Sequence, residues 1–167
     1  TGLARAGALA VAYLGALPGA ANAGYTSLFV FGDSLSDPGN LFALAGQPGL
    51  PYVDGRFSNG PVAPEYLASR LNLGPGQVFN FAHGGAETGL NGALGSPTGV
   101  TSQINALTSL LGGGPADPTG LYMVWAGAND LLSLFGGPPP SDAQISAAVT
   151  QAVGNLAGAV STLYQAG

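Results

Sequence analysis

Three short segments of this chain concentrate the residue types from which acyl chemistry is built. Phe31-Gly32-Asp33-Ser34-Leu35-Ser36-Asp37-Pro38-Gly39-Asn40 sets hydroxyls among carboxylates and glycine. Asn80-Phe81-Ala82-His83-Gly84-Gly85-Ala86 brings paired glycines and the single histidine. Trp125-Ala126-Gly127-Ala128-Asn129-Asp130 brings a carboxamide beside a carboxylate. A serine hydroxyl can attack a carbonyl carbon, and the charge that then develops on the carbonyl oxygen calls for preorganised N–H donors. Glycine lets a backbone N–H approach closely, and asparagine adds a neutral side-chain donor. Ser34, Gly85 and Asn129 are the candidates for these roles. Each has a plainer reading too: a turn serine, a strand-ending glycine, and an N-cap for a helical turn at Leu131.

The neighbouring residues have simpler duties. Asp33, Asp37 and Asp130 read as loop braces that bind nearby backbone N–H groups rather than as acids or metal ligands. Trp125 and Tyr122 read as strand core. Glu87 reads as solvated or loop-bracing, and nothing supports Glu65 and Glu87 as a glycosidase pair.

Each segment follows a run that reads as a strand: Thr26 to Phe31, Gln77 to Ala82 and Leu121 to Ala126. Between them lie runs at helical spacing. Val62, Tyr66, Leu67 and Leu71 mark one helix. Ile104, Leu107, Leu110 and Leu111 mark a second, with Thr101 or Ser102 as its cap. Ser141 opens the longest, with Ile145, Val149, Val153, Leu156, Val160, Leu163 and Tyr164 along one face and Gly154 and Gly158 expected to pack closely on a sheet. Strand and helix alternate, which predicts an α/β fold: a three-layer α/β/α sandwich on a parallel sheet, with functional groups at the C-terminal strand ends. The pattern stops at Gly167, where another strand is due. The sheet is therefore expected to be incomplete at the C-terminus, with an apolar edge left bare.

The motifs, in this order, resemble those of the GDSL-type lipases and esterases of the SGNH hydrolase superfamily over almost the whole of residues 24–167. Gly32-Asp33-Ser34-Leu35 is similar to the block that carries the family's nucleophile. Gly85 and Asn129 match its oxyanion-hole glycine and asparagine, and Gly55-Arg56-Phe57-Ser58-Asn59-Gly60-Pro61 resembles its GRFSNG segment. The resemblance implies an SGNH/flavodoxin-like fold and a serine ester hydrolase acting through an acyl-enzyme, with Ser34 as nucleophile. It also implies a C-terminal Asp-x-x-His, which these residues lack, and it puts His83 at a variable position, where it reads as a cleft or packing residue. The chain is accordingly expected to be the N-terminal part of such a domain and inactive, or nearly so, alone. A non-catalytic exported binding domain on the same scaffold and an acyltransferase are the alternatives.

Composition narrows the partners. Among 167 residues there are three arginines, no lysine, eight acidic residues and no cysteine. Phosphate neutralisation needs clustered basic side chains, which excludes nucleic acid and an anionic membrane surface as partners. Disulfides and cysteine-based metal sites are excluded with the cysteines. The expected partner is a small-molecule or lipid ester, and no cofactor is implied, since the chemistry needs only side chains and water. Arg5, the apolar run Gly7 to Leu17 and Ala21-Asn22-Ala23 form the layout of a secretory signal peptide over residues 1–23. That run falls short of the ~20 residues that span a bilayer. The mature chain is thus expected to be secreted or cell-surface, without an integral membrane segment.

Overall fold

The computed structural model describes residues 24–92 and 95–167, so the expected signal segment lies outside the described residues. The strongest apolar run of the chain becomes its centre. Ser27–Gly32 (β1) is buried at every position and is flanked by β2 (Val78–Asn80) and β3 (Gly120–Trp125) in a parallel sheet of order β2-β1-β3. Its register sets Leu28 against Val78 and Leu121, and Gly32 against Trp125. Side chains alternate across a strand, so β1 feeds two cores. Leu28 and Val30 pack with Ala82 and with Ala68 of α2 (Ala63–Arg70). Phe29 and Phe31 point the other way, against Val100, Ile104 and Leu107 of α3 (Val100–Leu111) and Ala159 and Leu163 of α5 (Asp142–Ala166). This is the expected three-layer α/β/α arrangement on a parallel sheet.

On the α3/α5 face the Phe29 ring stacks at 4.9 Å on Phe79 and at 4.7 Å on Tyr122, and Phe31 stacks at 5.3 Å on Phe81. Burying a ring such as that of Phe29 or Phe31 contributes roughly 2–3 kcal/mol, and these stacks join β1 to both of its neighbours. Two short helices, α1 (Asn40–Ala45) and α4 (Ala128–Leu132), follow the exits of β1 and β3.

Several local expectations are corrected. Helix α3 begins at Val100 after Gly99 with no side-chain cap. The hydroxyls of Thr101 and Ser102 donate instead to the carbonyls of Thr88 and Leu90, fastening the preceding loop. Strand β2 is shorter than Gln77 to Ala82, because Pro75–Gln77 form a 3₁₀ turn. In α5, Ser141 caps as expected and Gln144 returns a bond to its N–H. The buried stripe differs in part: Leu163 is buried and Leu156 packs against the core as expected, joined by Ala152 and Ala159, while Val149, Val153, Val160 and Tyr164 are exposed. Alanine methyls let this helix settle close to its neighbours, which rotates the larger side chains outward. Gly154 and Gly158 face open space and pack on nothing. Trp125 is 41% exposed at the end of β3 and is not a core residue. No helix among the described residues is long and apolar enough to cross a membrane.

Candidate active site

The site is built from the exits of the three strands. At the end of β1, a Cβ on Gly32 would lie 2.3 Å from the Trp125 carbonyl oxygen, so only glycine allows β1 and β3 to run together this far. The Asp33 N–H donates to that same carbonyl at 3.2 Å, and the chain then turns, with the Ser36 N–H donating to the Asp33 carbonyl at 3.0 Å. The Asp33 carboxylate accepts from the Leu35 N–H at 3.0 Å and locks the turn. Burial pushes the Asp33 carboxyl up from its ordinary pKa, with the Leu35 N–H opposing. Ser34 sits at the head of this turn, half-buried, and among the described residues neither its N–H nor its hydroxyl has a hydrogen-bond partner. The neighbouring Ser36 hydroxyl is fully buried and likewise unpartnered.

The exit of β2 is held against the first. The His83 N–H donates to the Gly32 carbonyl at 3.0 Å, and the Ala86 N–H to the His83 carbonyl at 3.1 Å. Gly85 lies in this turn at φ +75°, a conformation that favours glycine, and its N–H has no acceptor among the described residues. Gly84 donates to the Asp37 carboxylate at 2.7 Å. Asp37, wholly buried, also accepts from the N–H groups of Gly39, Asn40 and Leu41. In the reverse direction, the Asn40 amide donates to the carbonyls of Asn80 and Ala82, and the Asn80 amide to that of Ser36. The two loops are stitched from both sides.

The exit of β3 closes the set. Asn129 lies inside α4, whose N-cap is Gly127, so it is not the cap of that turn. One amide hydrogen donates to the Ala86 carbonyl at 2.9 Å, which brings Asn129 beside the Gly85 turn and leaves its second hydrogen uncommitted. Asp130 accepts from the Thr88 N–H at 3.0 Å and from its hydroxyl, and Asn155 of α5 donates to that hydroxyl at 3.0 Å. Asp33, Asp37 and Asp130 all act as braces.

One residue of this scaffold went unremarked in the sequence. Gln103, buried within α3, accepts from the Gly32 N–H at 2.8 Å and donates to the carbonyls of Gly32 and Thr98 at 2.9 and 2.8 Å. It fixes the last residue of β1 immediately before the Ser34 turn. The signal was a polar amide on the stripe Val100, Ile104, Leu107, where a core helix should be apolar.

Ser34 opens onto a cavity of about 260 Å³ that it lines with Leu35, Phe57, Ser58, Pro61, Val62, Ala63 and Trp125. A hydroxyl on an apolar wall, with two unpaired backbone N–H groups and a carboxamide on the loops bound to it, is an inventory suited to acyl transfer. A base for that hydroxyl is not supplied by His83, whose Nδ1 lies 2.8 Å from its own Phe81 carbonyl and which makes no bond to Ser34 among the described residues. Glu65 is occupied by Arg56, whose guanidinium holds its carboxyl below the ordinary carboxylate value. Among the described residues no cluster of three or more His, Asp or Glu side chains could hold a metal ion.

Comparison with known proteins matches residues 28–166 to the family model described as GDSL-like lipase/acylhydrolase. The chain is 35% identical over 118 residues to a phosphatidylcholine-sterol acyltransferase of Aeromonas hydrophila, covering 65% of this chain and 34% of that protein. It is 29% identical over 170 residues to GDSL esterase/lipase 22 of Arabidopsis thaliana, covering 87% and 44%. With esterase EstA of Pseudomonas aeruginosa it shares 32% over 163 residues, covering 73% and 25%. The chain thus spans between a quarter and less than half of the length of these relatives.

Proposed function

Because this chain belongs to the GDSL-like lipase/acylhydrolase family, we propose that it carries the nucleophile and the oxyanion donors of an exported serine ester hydrolase. Ser34 attacks the ester carbonyl. The carbonyl oxygen, as it gains charge, is received by the N–H groups of Ser34 and Gly85 and by the free amide hydrogen of Asn129. The alcohol then leaves, and water releases the acyl group from Ser34. The observation that carries this reading is the hydrogen bonding between the three strand exits: Asp37 to Gly84, Asn129 to Ala86, and Asp33 to Trp125. These bonds hold the loops of all three candidate residues together and leave the donors uncapped. Export is proposed from the signal-like residues 1–23.

No residue of this chain is assigned as the general base. A serine hydrolase without its base loses activity by a factor on the order of 10⁴ or more, so these residues alone are expected to turn over p-nitrophenyl esters scarcely at all. The test of the assignment is covalent and is made on the complete protein, where a base can activate the hydroxyl. A fluorophosphonate should form its adduct at Ser34, located by peptide mass spectrometry, and Asn129→Ala should slow that reaction by roughly 10²-fold, the usual cost of one oxyanion donor. An adduct elsewhere, or an unchanged rate in Asn129→Ala, would refute it.

Acyl transfer to an alcohol other than water is a second reading, favoured by the 35% identity to the phosphatidylcholine-sterol acyltransferase. It uses the same serine and the same donors. Supplying a sterol beside water during ester turnover by the complete protein separates the two.

A further inference from the structure

The cavity beside Ser34 has a composition that selects one part of an ester. Its walls are Leu35, Phe57, Pro61, Val62, Ala63 and Trp125, and Ser58 is the one polar side chain on them besides Ser34. A sugar or other hydroxylated group placed there would surrender its water bonds with almost nothing in return. A hydrocarbon chain would surrender none. The wall is also held firmly. A Cβ on Gly84 would lie 2.1 Å from the Phe57 ring, so that ring lies directly on the loop that carries Gly85. The segment from Phe57 to Ala63 is closed at both ends by one ion pair: Arg56 donates through Nε and Nη2 to Glu65, each at 2.8 Å, and Glu65 accepts from the Val62 N–H at 2.8 Å. Such two-pronged Arg–carboxylate pairing fixes orientation as well as distance.

We propose that this cavity is the acyl-chain subsite and that Phe57 and Ala63 set the length of chain it accepts. This rests on the ester-hydrolase reading above. A cavity of ~150 Å³ holds a benzene ring, so at about 260 Å³ the subsite takes a chain on the order of eight to ten carbons. Arg56 and Glu65 are positioning residues that keep the Phe57 wall in place.

The test needs no catalysis, because Trp125 is the only tryptophan of the chain and lines the cavity. Its fluorescence is titrated with 2-alkanones of four to twelve carbons, which carry a carbonyl and an alkyl chain but no scissile bond. Each protein is first shown to unfold cooperatively in urea. Affinity should rise about fourfold per added methylene up to eight to ten carbons and then level off. Ala63→Phe, at an exposed position in the first turn of α2, should move the plateau to shorter chains, and Arg56→Ala should blunt the dependence on length. An affinity independent of chain length, or a plateau unmoved by Ala63→Phe, overturns the subsite. If the profile holds while fluorophosphonate fails to label Ser34 in the complete protein, the hydrolase reading falls and the subsite stands; labelled Ser34 with a flat profile means the reverse.

Discussion

The two ends of the sheet are tied in different ways. At the end where the strands begin, Asp117 gathers the hydroxyls of Thr26, Ser27 and Thr119 together with the Thr119 N–H, close to solvent. Those donors hold its carboxyl well below the ordinary carboxylate range. At the end where the strands stop, Asp37 and Gln103 do the tying, both buried, and their partners are all backbone groups. Water can replace a lost partner at the first end and cannot at the second. The chain has thus spent its buried polar side chains where three loops must be held in fixed relation, and has left the other end to exposed bonds.

Substitutions at the two ends should therefore differ sharply. Asp37→Ala strands four N–H groups, at least one of them buried, and should cost about 4 kcal/mol in urea unfolding or prevent folding altogether. Gln103→Leu keeps the volume but orphans the Gly32 N–H, while the Gly32 carbonyl keeps the His83 N–H; about 2 kcal/mol and a tenfold or greater slowing of Ser34 phosphonylation in the complete protein are expected. Asp33→Asn should act in the opposite direction. Its folded pKa is raised, so the charged carboxylate weakens the fold as pH climbs through and above about 4. The variant should be the more stable protein at pH 7 by thermal melting, and its advantage should vanish as the pH falls below about 4. The smallest effect belongs to Asp117→Ala. Its folded pKa is lowered, so the stability it adds is present above about 4 and is lost as acid protonates it. A loss at pH 7 as large as that of Gln103→Leu would erase the contrast between the two ends.

Much of this was legible before any coordinates. Apolar runs without alternation located the first and third strands, because a strand covered on both faces cannot alternate, and the alternating run Gln77 to Ala82 located the second. Turn residues after each run located the three loops, and the short polar side chains Asp33, Asp37 and Asp130 declared themselves as braces by standing among glycines. What stayed hidden was decided by tertiary packing. On α5 only Leu156 and Leu163 of the expected stripe meet the core, because two of the other inward residues are Ala152 and Ala159, whose small methyls carry little pattern of their own, while the larger valines beside them are left uncovered. Trp125 reads as core by type, yet its place at the strand end puts it on the cavity wall. The role of Gln103 depends on a partner 71 positions away, which no local pattern reveals.

The most direct measurement is a crystal structure of the complete protein phosphonylated by an alkyl fluorophosphonate. The phosphoryl oxygen should lie about 3 Å from the backbone nitrogens of Ser34 and Gly85 and from Nδ2 of Asn129, with the alkyl group running between Phe57 and Trp125. An adduct on Ser34 whose oxygen points to solvent, with Gly85 and Asn129 turned elsewhere, would contradict the convergence of the three strand ends on one substrate atom.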